Sequence, residues 1–337
     1  MINITQEQIM QNWGVDNSNT PLVSVKCMTY NHELYIAQAL DGFLMQKTNF
    51  PFEVLIHDDA STDKTADIIR EYEAKFPKIV KTIYETENQW SKGHRAHHLK
   101  IDKLIKGKYI AVCEGDDYWI DENKLQMQVD FLEKNPDYGM CYTKAKQFLQ
   151  EKKKFTKRSF GSKERSFEEL LQRGNNIPTL TVCIRKSIME NYRQEIQPEN
   201  KGWLMGDYPL WLYCVRISKS KFLDYETSIY RVLENSASHS VSISKIMEFK
   251  KSSYAVCNFF SEKFFNKKIT WNYNVQLANV LFLSKKDERL TIKKLLRNEK
   301  INNINMLIHK CTVSFKLLFI VYRFYLGRKQ NFVEYSV

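Results

Sequence analysis

The amino-acid sequence predicts an α/β protein, a mainly parallel sheet followed by a helical extension. Three observations predict it. Apolar runs of strand length alternate with helix-like segments through the N-terminal half, which is the pattern of right-handed βαβ units. Two of those runs pass directly into paired acids, Asp58-Asp59 and Asp116-Asp117, and ligands of open α/β sheets sit outside the carboxyl ends of the strands. From about Ser240 onward the pattern is helical only.

In chain order, residues 1–20 read as a short helical or loose arm that stops at Asn17-Ser18-Asn19-Thr20-Pro21. A strand over Val23–Met28, a helix over Leu34–Met45, a strand over Phe52–His57 and a helix over Thr65–Phe76 follow. A short strand at Lys81–Tyr84, a helix near Ala96–Ile105 and the strand Tyr109–Cys113 complete the alternating half. Beyond Trp119 the sequence predicts a helix over Asn123–Lys134, ended before Asn135-Pro136, and strands over Tyr138–Phe148 and Thr179–Arg185. The basic segment Glu151–Arg165 reads as a mobile loop or a solvated hairpin, and Asp207–Ile217 as a helix with Trp211 and Leu212 inward. Three regions result: an arm over 1–20, a domain over 21–240 and a basic, aromatic helical region over 241–337.

With 337 residues and 43% hydrophobic content the chain can bury a sizeable core, which excludes a disordered protein. The opening MINITQEQIMQNW has no basic n-region and no apolar core, so a cytosolic location is expected. Seven scattered cysteines without a CxxC pair read as reduced core residues. The net charge of +12 is localised: residues 1–240 hold 33 Lys/Arg and 33 Asp/Glu, whereas residues 241–337 hold 18 and 6. That last region lacks RNP, zinc-finger and helix-turn-helix signatures, so an anionic membrane surface is the expected partner and nucleic acid is not. A plain helical subdomain or an oligomer interface is its alternative role. The apolar stretch from Thr312 to Leu326 is shorter than the ~20 residues that cross a bilayer and carries Lys316 and Arg323.

The Glu114-Gly115-Asp116-Asp117 cluster follows the strand Tyr109–Cys113 at once. Hard carboxylate oxygens on a rigid support are what a divalent cation bound to nucleotide phosphates needs, although an acidic pair also opens turns and caps helices. The segments VSVKCMTYNHELYIAQAL, EVLIHDDASTDKT and GKYIAVCEGDDYW, in this order and spacing, resemble the family 2 glycosyltransferases, and the resemblance runs from about Pro21 to about Ser240. It implies a GT-A fold, an inverting reaction, a nucleotide-sugar donor and usually a divalent metal.

Carried over by position, the resemblance implies that Tyr30 stacks near the donor base with Glu33 close behind. Asp59 would accept the imide N–H of a uracil while Asp58 shapes the turn, which favours a UDP-sugar. Asp117 would ligate Mn²⁺ or Mg²⁺, Asp116 would meet the ribose or metal-bound water, and Glu114 stands where the family commonly has Asp. Asp207, in WLMGDYPLW, resembles the family's acid before its LWL segment and is the candidate base; a helix N-cap is its other role. Arg231 and His239, in a segment resembling the closing YRxH motif, are candidates for the donor diphosphate and the metal.

The QxxRW motif of processive synthases is missing, so one sugar per encounter is expected, with a hexosyl or N-acetylhexosaminyl donor. A glycan or lipid-linked saccharide in surface polysaccharide synthesis is the expected acceptor, reached at the inner membrane face. The chain lacks the Gly-rich phosphate loop of a sugar nucleotidyltransferase, and joint retention of Asp59, Asp117 and Asp207 speaks against a non-catalytic scaffold. His94, His97 and His98 lack the third ligand of a zinc site.

Overall fold

A computed structural model describes residues 3–14, 20–92, 97–233 and 243–267. Contacts group Met1–Glu234 as one compact unit and Asn235–Val337 as another. The first unit is built on a nine-stranded sheet. Strands β1 (Val23–Thr29), β2 (Phe52–Asp58), β3 (Val80–Tyr84) and β4 (Tyr109–Val112) pair in parallel in the order β3-β2-β1-β4. This is the expected parallel sheet. Beyond β4 the sheet is mixed: β8 (Cys183–Arg185) pairs antiparallel with both β4 and β6 (Tyr138–Leu149). β6 in turn pairs parallel with β9 (Lys219–Val232), and β9 antiparallel with the two-residue β5 (Tyr118–Trp119).

All seven residues of β2 are buried, as expected of a strand covered on both faces, and each large apolar side chain contributes about 1.5–3 kcal/mol on burial. Helix α2 (Ile36–Leu44) buries Ile36, Ala39, Leu40, Phe43 and Leu44, the spacing of a single apolar stripe, and packs against α3 (Thr65–Lys75) and β5. The described part of the arm, residues 3–14, is docked rather than loose. Thr5 caps the short helix α1 (Gln6–Met10), Ile9 joins the core, and the Trp13 indole donates to Thr48 Oγ1 at 3.1 Å.

Helices α4 (His97–Asp102), α5 (Lys124–Lys134) and α8 (Asp207–Ile217) fall where periodicity predicts them. Three elements do not follow from it: α6 (Phe167–Arg173), α7 (Lys186–Ile196) and β9. The expected strand over Thr179–Arg185 is a 3₁₀ turn at Thr179–Thr181 leading into the short β8. Glu151–Arg165 is not a loop. Its strand β7 (Lys154–Phe160) pairs antiparallel with β6 and forms a hairpin. β9 lacks an apolar period because buried hydroxyls take the place of aliphatic side chains. Thr227 Oγ1 lies 2.6 Å from Thr143 Oγ1 and 3.1 Å from Ser228 Oγ, so the polar groups are satisfied inside the sheet.

In the second unit the described element is helix α9 (Ile243–Phe265), within which Phe260 stacks on Phe264 at 6.0 Å. The stretch from Thr312 to Leu326 lies outside the described residues, and no helix among the described residues is long and apolar enough to cross a membrane. Six cysteines, among them Cys27, Cys113 and Cys183, are free and buried; Cys311 lies outside the described residues.

Candidate active site

Register brings three loops together at one edge of the sheet. Thr29 at the end of β1 pairs with Asp58 at the end of β2, and Lys26 pairs with Val112 at the end of β4. The loop after β4 stays alongside β1, for Cys113 N–H donates to Lys26 O at 3.1 Å and Gly115 N–H to Met28 O at 3.0 Å. Gly115 is needed for this approach: a Cβ there would lie 2.6 Å from Thr29 Oγ1 and 2.8 Å from Thr29 Cβ.

The loops after β1 and β2 are laced to each other. Asp58 accepts the hydroxyl and, at 3.3 Å, the backbone N–H of Ser61, and burial raises its carboxyl above the ordinary range. Both oxygens of Asp59 accept backbone bonds, from Gln89 at 2.8 Å and Trp90 at 3.0 Å, so this buried carboxylate fixes the loop after β3. Tyr30 stands 41% exposed at the mouth, open to a ligand, and so is not a buried aromatic. Glu33 precedes α2 and its carboxylate accepts the Lys64 N–H at 2.9 Å, so it tethers the second loop rather than serving as a first-turn acid of α2.

The acidic cluster is crowded. Burial and the Asp116 charge push Glu114 up to about 8, with Asp207 adding to the effect. Burial, Asp116 and Glu114 raise Asp117 well above the carboxylate range, against an opposing bond from the Arg231 N–H to Asp117 Oδ1 at 2.7 Å. Arg231, near the end of β9, has its guanidinium between the rings of Tyr118 (4.6 Å) and Tyr35 (5.0 Å), donates to Gln38 Oε1, and leaves its buried Nε without a partner. Among the described residues no three His, Cys, Asp or Glu side chains stand ready to surround a cation. Two crowded, hard-oxygen carboxylates fit an ion that completes its shell with water and diphosphate, as magnesium commonly does.

Asp207 is the first residue of α8, whose N-cap is Gly206, so its carboxylate does not cap the helix. It accepts the Thr179 hydroxyl at 2.9 Å instead. The structure therefore gathers Glu114, Asp116, Asp117, Arg231 and Asp207 at one place, with Tyr30, Glu33, Asp58 and Asp59 on the adjoining loops. His239 and His94 lie outside the described residues. Tyr35, Gln38, Tyr118, Thr179 and His32 escape a motif reading. His32, whose Nδ1 is 3.1 Å from Thr29 Oγ1, is kept less basic by burial despite the charges of Asp116 and Asp63. Only the i, i+3 placing of Tyr35 and Gln38 beside an apolar helix signals any of them.

Comparison with known proteins gives the same picture. The family model described as glycosyl transferase family 2 matches residues 24–191. A glycosyltransferase of Haemophilus influenzae, itself uncharacterized, is 29% identical over 212 residues, 61% of this chain and 76% of its own. A putative teichuronic acid biosynthesis glycosyltransferase of Bacillus subtilis, TuaG, is 34% identical over 123 residues, 36% of this chain and 44% of its own. Uncharacterized mycobacterial proteins, such as one from Mycobacterium bovis, are 44% identical over 120 residues, 36% of this chain; the match spans about a third (34%) of their length. Among solved structures, S. aureus TarS superposes with a TM-score of 0.53 at 18% identity, covering 85% of this chain and 47% of TarS. TarS 1–349 in complex with UDP-GlcNAc gives 0.52 at 17% identity, covering 88% of this chain and 82% of that chain. These two likenesses show the fold, which is GT-A, and residues 24–191 resemble the family 2 glycosyltransferases.

Proposed function

We propose that the chain is an inverting, metal-dependent, non-processive glycosyltransferase that moves a hexosyl or N-acetylhexosaminyl group from a UDP-sugar to a glycan or lipid-linked saccharide of a surface polysaccharide. The observation that carries this reading is the laying of the Glu114–Asp117 loop along the end of β1, with Asp207 close enough to raise Glu114. Tyr30 and the Asp59-anchored loop would hold the base, with Asp58 and Glu33 fixing the turns behind it. Asp117 would hold Mn²⁺ or Mg²⁺, with His239 as a further ligand and Asp116 on the ribose or metal-bound water, and the cation would offset the charge gained by the departing UDP. Asp207 takes the proton of the acceptor hydroxyl. The acceptor oxygen bonds to the anomeric carbon as that carbon's bond to the β-phosphate oxygen breaks, through an oxocarbenium-like transition state. Arg231 orients Asp117 from behind and stands beside the diphosphate.

The catalytic domain in this reading spans 21–240, with the arm 1–20 docked on it, and the basic region 241–337 holds the enzyme at the inner face of the membrane. UDP release from a panel of UDP-sugars, with Mn²⁺ and with EDTA, tests the activity. Cation-dependent release is expected; neither release nor UDP binding with Mn²⁺ present would sink it. Salt-sensitive flotation of the full chain with anionic vesicles tests the membrane role.

A further inference from the structure

His32 touches both sides of the carboxyl edge, and no motif assigns it a task. It stands in the loop after β1 with its backbone held at two points. Its N–H donates to Thr65 Oγ1 at 2.7 Å, and its carbonyl accepts the N–H groups of Tyr35 at 2.9 Å and Ile36 at 2.8 Å. The ring is held as well. Nδ1 lies 3.1 Å from Thr29 Oγ1, and a Cβ placed on Gly115 would come 3.0 Å from Nδ1, so the imidazole lies against the Glu114–Asp117 loop. Asp63 fastens the loop after β2 to the same stretch, accepting the Glu33 N–H at 3.1 Å and the Thr65 N–H at 2.9 Å. An imidazole fixed at backbone and ring is pre-organised for whatever its far corner meets.

That corner is Nε2, which is open to solvent and makes no hydrogen bond among the described residues. The charges that act on the ring are Asp116 of the β4 loop, Asp63 and Asp58 of the β2 loop, and Arg231 of β9. Three acids against one cation oppose an anion at Nε2. Nor do these groups make a cation site, for no three His, Cys, Asp or Glu side chains among the described residues are so placed. A hydroxyl suits the corner. Thr29 can donate to Nδ1 or accept from it, so Nε2 is a donor in one tautomer and an acceptor in the other, and a hydroxyl answers both. In the transferase reading, Tyr30 and the Asp59-anchored loop hold the base, and Asp117 holds the cation and the diphosphate. His32 follows Tyr30 by two residues and lies against the loop that carries Asp117, where the ribose joins base to diphosphate. Resting on that reading, we infer that His32 Nε2 binds a ribose hydroxyl of the donor, so that the site distinguishes a ribonucleotide from its deoxy counterpart.

The full chain with Mn²⁺ is titrated calorimetrically with UDP, 2′-deoxy-UDP and 3′-deoxy-UDP, and with GDP and its two deoxy analogues in parallel because both nucleotides share the ribose. The parent is expected to bind one deoxy ligand about five- to tenfold more weakly than the ribonucleotide. His32→Ala should weaken the ribonucleotide by a similar factor and leave that deoxy ligand within about twofold, so that the discrimination disappears. His32→Gln, whose amide reaches the place of Nε2, should restore most of it. His32→Asn, whose amide takes the place of Nδ1 beside Thr29, should not. A parent indifferent to both hydroxyls overturns the inference without any variant. So does rescue by His32→Asn in place of His32→Gln, which would confine the ring to its Thr29 bond. An equal loss for ribo and deoxy ligands in His32→Ala also overturns it, as a role at the cation or in the loop alone. GDP bound with His32-dependent discrimination and UDP not bound would sink the UDP reading and leave the inference, whereas UDP bound without ribose discrimination would do the reverse. Binding of neither nucleotide would sink both.

Discussion

Two clusters of buried charge lie in the first unit, and they differ in balance. Between β1, α4 and α7, Lys26 pairs with Asp102, whose other oxygen accepts Arg193 Nε at 3.1 Å and Nη2 at 2.9 Å, and Arg193 reaches Glu199 at 3.6 Å. Two cations meet two acids there. Burial lowers the Lys26 ammonium, and Asp102 opposes the shift. At the carboxyl edge, Glu114, Asp116, Asp117 and Asp207 share one electrostatic cluster in which Arg231 is the one Lys or Arg among the described residues, and three of these acids lie within four residues of one loop. A balanced cluster is complete as it stands and serves the fold. An unbalanced one is stable only with its acids partly protonated or with a cation added, which is what a site for a metal diphosphate requires.

Substitutions can break this contrast. Asp207→Asn keeps an acceptor for the Thr179 hydroxyl and so should keep the fold, but it removes the base: transfer should fall about 10²- to 10⁴-fold with UDP affinity within about twofold. Unchanged transfer would remove Asp207 from the chemistry. Asp102→Ala, in the balanced cluster, leaves Lys26 and Arg193 without their carboxylate and should cost about 3–5 kcal/mol, a fall of roughly 6–20 °C in melting temperature, with UDP binding kept by the folded protein. An unaltered melting temperature would deny that cluster its structural role. Gly115→Ala should destabilise by about 1–3 kcal/mol through the clash with Thr29, read by urea unfolding, and weaken cation-dependent UDP binding as the loop shifts.

The parallel half of the fold was legible because its strands are continuous apolar runs and its helices carry stripes such as Ile36, Ala39, Leu40 and Phe43. β9 was hidden because Thr227 and Ser228 are buried through hydroxyl bonds, which no hydropathy pattern registers. The same limit applies at the site. The acids announce themselves at strand ends, whereas Tyr35, Gln38 and Tyr118 matter only because β9 returns Arg231 between them, over a sequence distance that pairing alone closes. Thr179 likewise reaches Asp207 from a turn that reads as a strand.

The smallest effect concerns pH in the cation-free protein. Glu114 titrates at about 8 in the fold against 4.5 for the free side chain, so between these values the folded chain holds a proton that the unfolded chain has released. Stability then falls as pH rises from 4.5 through 8. The raised Asp117 acts in the same direction, while His32, whose basicity is lowered, acts oppositely near its ordinary range. The Glu114 contribution is therefore isolated by comparing the parent with Glu114→Gln in EDTA. From pH 5 to pH 8 the variant's melting temperature should fall less than the parent's. Added Mn²⁺ should raise the parent most at the alkaline end, where the rim is most fully ionised. Parallel melting profiles for the two proteins would mean that Glu114 carries no excess charge, and the carboxyl edge would then be as balanced as the cluster around Asp102.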